Sequence, residues 1–125
     1  MGTQLDQSRA SVHHQSHGEG FLSLFKIRFD RGIYILDEPE SALSPFSQLT
    51  FLSIIDRLEK TGNAQFLIAT HSPMLICYPG ATVLALSEWG IAEVDYRETE
   101  HYKVNKSFLE CPERYLKLLF EGEGE

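Results

Sequence analysis

Gly32-Ile33-Tyr34-Ile35-Leu36-Asp37-Glu38-Pro39-Glu40-Ser41-Ala42-Leu43-Ser44-Pro45 is the stretch that decides how this chain folds. The apolar run IYIL follows a glycine and ends abruptly in two carboxylates and a proline. An unbroken apolar run of this length reads as a buried parallel strand, and the acids fall at its C-terminal end. Ser44 and Pro45 then supply an N-cap and a proline at the first helical position, where no backbone N–H is needed. Further on, Phe51, Ile54, Ile55 and Leu58 stand at i, i+3, i+4 and i+7, with Gly62 just past the end. That spacing predicts an amphipathic helix of about four turns.

Working outward, Gln65 to Ala69 reads as a second short strand, and Ser72-Pro73 opens a brief helix that Pro79-Gly80 closes. The runs TVLAL and IAEVDY, joined by Ser87-Glu88-Trp89-Gly90, predict a hairpin. Pro112 begins a final helix through Tyr115, Leu116, Leu119 and Phe120, and EGEGE reads as a frayed tail. Upstream, the first twenty residues are polar and become glycine-rich, and FLSLFKIRF then brings apolar side chains at helical spacing. Strand, helix, strand and helix in succession predict an α/β fold. Residues 1–125 contain no internal repeat and no linker long enough to mark a domain boundary.

Composition narrows the function classes. With 42% apolar and 23% charged residues the chain is built to bury a core, not to remain disordered or to span a membrane. The net charge of −7 argues against an extended phosphate-gripping surface, so nucleic acid is expected only through a larger assembly. Cys77 and Cys111 are far apart and form no CxxC pair, which fits a reducing compartment, and the expected location is cytoplasmic. The N-terminus lacks a signal-peptide pattern. The most apolar stretch, Phe66 to Leu86, is broken by His71, Pro73 and Pro79, so direct membrane insertion is not expected.

Taken alone, an acidic pair after a strand is also what a solvated turn before a helix looks like. A single histidine is more often structural than catalytic. His13 and His17 share a helical spacing, but no acid or cysteine completes a metal-ligand set around them. The full run from Gly32 to Pro45 carries more than these fragments. It resembles the Walker B strand and D-loop of ABC-type, AAA-like P-loop ATPases. The segment Phe66 to Pro73, FLIATHSP, resembles their switch-histidine segment, and Ser16-His17-Gly18-Glu19-Gly20 resembles the SHGE variant of their signature loop. The helix at Pro112 to Leu116 is similar to the PERYL-type helix of the soluble members.

The resemblance implies the C-terminal half of a P-loop nucleotide-binding domain, with a terminal β-hairpin and helix. It implies ATP as substrate and Mg²⁺ as cofactor. Asp37 would hold Mg²⁺, Glu38 would activate the attacking water, and His71 would sense the γ-phosphate. Ser16 and Gly18 would contact nucleotide bound to an opposing subunit, and Ser41 would lie in the D-loop. Ser44 departs from the family's usual aspartate, which puts the D-loop's contacts across a dimer in question. The pattern GxxxxGK[ST] is absent, since no glycine here is followed by lysine. That loop supplies the N–H cradle and lysine that hold the phosphates. The expected partner is therefore a P-loop-bearing chain or a homologous ATPase subunit in an oligomer, with the isolated chain inactive. Two other functions remain open: a catalytically inactive module that pairs with intact ATPases, and the energising subunit of a transporter.

Overall fold

The computed structural model describes residues 32–122. The signature-like loop at residues 16–20, the FLSLFKIRF segment and the last three residues lie outside them. The chain divides into two compact units, residues 1–75 and 76–125.

In the first unit, β1 (Gly32–Asp37) and β2 (Ala64–Ala69) pair in parallel, with Ile33 opposite Gln65 and Asp37 opposite Ala69. The crossover between them is α1 (Pro45–Lys60), as a parallel pair requires. The Ser44 side chain caps α1 by accepting a hydrogen bond from the Ser47 N–H at 3.2 Å, and Pro45 occupies the first turn. At the other end Gly62 takes φ +76°, a left-handed conformation that glycine adopts without steric penalty. The four helix positions singled out by periodicity, Phe51, Ile54, Ile55 and Leu58, are all buried, and Phe51 is fully so.

The sheet treats its two faces differently. Tyr34 is buried and stacks on Phe66, its partner in register, with ring centroids 4.8 Å apart. Tyr34, Leu43 and Leu75 join the α1 residues in the core. On the alternate positions, Ile33, Ile35 and Leu67 are 71%, 74% and 59% exposed. The IYIL run is thus an unalternating apolar strand with only one face covered among the described residues.

In the second unit, β3 (Val83–Ser87) and β4 (Gly90–Val94) form the expected antiparallel hairpin, turning through Glu88 and Trp89. A helix that the sequence reading did not anticipate, α2 (Glu100–Glu110), follows, and α3 (Pro112–Gly122) begins at the anticipated proline. Thr99 caps α2 through a 3.2 Å hydrogen bond from the Tyr102 N–H. The two helices meet where Phe108 and Tyr115 pack edge to face and the Tyr115 hydroxyl donates to Ser107 Oγ at 2.8 Å. The brief helix expected after Ser72-Pro73 is only a 3₁₀ turn, Leu75–Cys77. Among the described residues no helix is long and apolar enough to cross a membrane.

Candidate functional site

The parallel pairing of β1 and β2 brings their C-terminal ends side by side. β1 ends at Asp37, exposed at the sheet edge. The ladder closes one residue later, where the Glu38 N–H donates to the Ala69 carbonyl at 2.7 Å. In open α/β sheets this carboxyl edge is where ligands bind.

Glu38 is the point at which the chain leaves the sheet. Its backbone sits in the left-handed region, φ 48° and ψ 54°, the only non-glycine residue with positive φ among those described. Pro39 disfavours a right-handed helical conformation for the residue before it, and an extended one would carry the chain onward past the sheet. The left-handed turn starts the 3₁₀ segment Pro39–Ala42 instead. Such conformations typically cost on the order of 1–3 kcal/mol and cluster at functional sites. Pro39 is buried and anchors the turn.

The turn presents the Glu38 carboxylate to the end of β2. His71 Nε2 lies 3.1 Å from Glu38 Oε1, with the two side chains 71% and 51% exposed. A contact this open contributes little to stability, so its importance lies in geometry. A carboxylate and an imidazole, 33 positions apart in sequence, share one hydrogen-bonding distance at the strand ends.

The loop bearing His71 is held by two further contacts. Glu40 accepts from the Thr70 hydroxyl at 2.6 Å and from the His71 backbone N–H at 2.8 Å. Ser72 is buried; its hydroxyl donates to Gln48 of α1 and accepts from the N–H groups of Met74 and Leu75. Burial pushes the Glu40 carboxyl up, but the hydrogen bonds from Thr70 and His71, a backbone hydrogen bond within Glu40 itself and the His71 charge together bring it below the usual glutamate value. Glu40, Gln48, His71, Ser72, Pro73 and Met74 line an open cleft beside the strand ends.

Of the residues singled out in the sequence, the structure brings Asp37, Glu38 and His71 to one edge. Ser41 sits in the 3₁₀ turn, its N–H donating to the Glu38 carbonyl at 3.1 Å. Ser16 and Gly18 lie outside the described residues. Glu40 and Gln48 were not singled out. The long-range contacts that define them join positions 24 to 31 residues apart, and no local sequence pattern reveals such pairs.

A strand, a tight acidic turn and a crossover helix, followed by a second strand that ends in histidine, agree with comparison against known families. Residues 12–76 match the model of the family described as "AAA domain, putative AbiEii toxin, Type IV TA system", which spans just over half the chain. The chain belongs to this AAA domain family. The match takes in β1, α1, β2 and the His71 loop, and it ends one residue past the first compact unit. An AAA domain is a nucleotide-binding, P-loop type of α/β fold, and the observed mixed α/β architecture is consistent with that. No curated protein and no solved structure matches the chain.

Proposed function

We propose that this chain forms the hydrolytic half of an ABC-type ATPase site and acts on ATP when a phosphate-binding loop is supplied by another polypeptide. The observation that carries this reading is the Glu38–His71 pair, held at 3.1 Å beside Asp37 on the carboxyl edge of the parallel strands.

Each residue has a chemical task in this reading. Glu38 accepts a proton from the attacking water, and its side chain is half exposed to solvent. His71, donating from Nε2, orients that carboxylate and reaches toward the terminal phosphate. Asp37 is the Mg²⁺ ligand. Among the described residues no group of three or more acids, histidines or cysteines converges on one point. Mg²⁺ is typically held by one or two carboxylates together with waters and nucleotide phosphates, and Asp37 would be one such carboxylate. When bound, the ion would neutralise charge on the β- and γ-phosphate oxygens. Ser41 belongs to the D-loop turn, and Ser16 and Gly18 are assigned to nucleotide contacts across a subunit interface.

Among the described residues one face of the sheet has no cover, which is compatible with a second chain packing there. Ile33, Ile35 and Leu67 form an apolar surface of the kind that marks association. We assign it to the partner that brings the phosphate-binding loop.

Calorimetry tests the proposal. Mg-ATP titrated into the chain alone should give no specific binding at micromolar nucleotide, because one carboxylate without the N–H cradle supplies too little interaction. Binding should appear when a P-loop-bearing half-domain from an intact ATPase of the same family is added. A one-to-one isotherm with the chain alone would contradict the half-site reading.

A further inference from the structure

We infer that Glu40 is a positioning residue for His71: its carboxylate continues the hydrogen bonding to β2 where β1 ends at Asp37, and it fixes the histidine against Glu38. The inference deepens the proposed ATPase reading and rests on it for its kinetic consequence, but its structural part stands without it.

β1 and β2 run in register only as far as Asp37 and Ala69, and the last main-chain bond is the one from the Glu38 N–H to the Ala69 carbonyl. Beyond it β1 has turned away into the 3₁₀ segment, so no residue of β1 stands in register with Thr70 or His71. The 3₁₀ turn returns Glu40 to that position. One carboxylate oxygen takes the Thr70 hydroxyl and the other takes the His71 N–H. The two bonds use both oxygens and approach from adjacent residues, so the carboxylate fixes a direction as well as a distance. The Thr70 hydroxyl in turn accepts the Ser72 N–H at 2.9 Å, extending the same clamp along the loop.

The consequence for His71 follows from where the clamp acts. It holds the backbone of the residue whose side chain reaches Glu38, and Glu38 and Glu40 lie on the same short turn. The distance between Glu38 Oε1 and His71 Nε2 is thus governed by one turn that carries Glu38 and holds the His71 backbone. Glu40 touches neither nucleotide nor water in this scheme. It acts through His71.

The test has two arms. In the first, the full chain is labelled with ¹⁵N-histidine and the His71 amide is assigned by its loss in His71→Asn. In the parent this amide should resonate downfield, and the His71 ring protons should show a nuclear Overhauser effect to the Glu38 side chain. Glu40→Ala should move the amide upfield and abolish the ring contact. Glu40→Gln should retain most of both, since its oxygen still accepts from the His71 N–H while its amino group turns to Thr70 Oγ1. In the second arm, with a P-loop-bearing half-domain present, Glu40→Ala should lower kcat by up to about 100-fold, the typical penalty for ångström-scale misplacement. KM for ATP should barely change, and Glu40→Gln should recover most of the rate.

An unmoved His71 amide and an intact ring contact in folded Glu40→Ala would overturn the inference. Should that variant not fold, Thr70→Val removes one of the two bonds, and an unchanged ring contact there would overturn it equally. Absence of ATP hydrolysis by the parent assembly would remove the ATPase reading, while the spectroscopic arm would still decide whether Glu40 holds His71.

Discussion

The two compact units of this chain use their apolar residues in opposite ways. Every residue of the described hydrophobic core, from Tyr34 to Leu75, belongs to the first unit. In the second, Leu86, Trp89 and Ile91 of the hairpin and Leu109, Leu118 and Phe120 of the helices are each at least 67% exposed. The first unit has a closed strand–helix–strand core on one side of its sheet and a set of polar contacts at the strand ends. The second has caps, two aromatic contacts and little burial. The difference teaches where chemistry can be held. The proposed catalytic pair, Glu38 and His71, lies in the unit with the packed core.

The largest effect that sharpens this contrast should come from Phe51→Ala. Truncating a fully buried phenylalanine typically costs about 3–5 kcal/mol. Denaturant unfolding followed by circular dichroism should show that loss, whereas Trp89→Ala at a 90% exposed hairpin tip should stay within about 0.5 kcal/mol. Comparable losses from the two would break the comparison. A smaller effect is expected at the entry to α1, where Ser44→Ala removes the cap and should cost about 1 kcal/mol by the same measurement.

Smallest in energy is the pH dependence of the strand-end clamp. Glu40 is held below its ordinary value of 4.5, so the folded state binds its proton less readily than the unfolded state. The clamp's contribution is therefore complete above the unfolded value and is lost as pH falls through the folded one. His71 faces the same turn, and its charge is one of the causes that lower the Glu40 carboxyl. The His71 amide shift, followed as pH is lowered, should change with a midpoint below 4.5 and should lose that transition in Glu40→Gln. A midpoint above 4.5 would show that burial, not hydrogen bonding, governs the carboxyl.

Local chemistry made much of the first unit legible. Ser44-Pro45 marks the start of α1, the 3.6-residue repeat picks out its four buried positions, and Gly62 marks its end. The strand-end location of Asp37, Glu38 and His71 followed from the same reading. The clamp by Glu40 did not, because a carboxylate three residues past a strand looks like any solvated acid until β2 is placed beside it. Nor did the left-handed backbone of Glu38, which Pro39 and the sheet edge impose together. The helix α2, EHYKVNKSFLE, escaped notice because its apolar residues make no continuous stripe and none of its side chains is buried. The unalternating run IYIL calls for cover on both sides of β1, and among the described residues only one side has it.

The central claim is that Glu38, presented by a left-handed turn and paired with His71, is the base of an ATP-hydrolysing site completed from outside these residues. The most direct measurement is single-turnover ATP hydrolysis by the chain assembled with a P-loop-bearing half-domain, comparing the parent with Glu38→Gln. The amide preserves shape but cannot take a proton, so hydrolysis should fall by at least about 100-fold, the low end of what general-base catalysis contributes. Mg-ATP should remain bound. Equal hydrolysis by the two proteins would contradict the account and remove Glu38 from the mechanism.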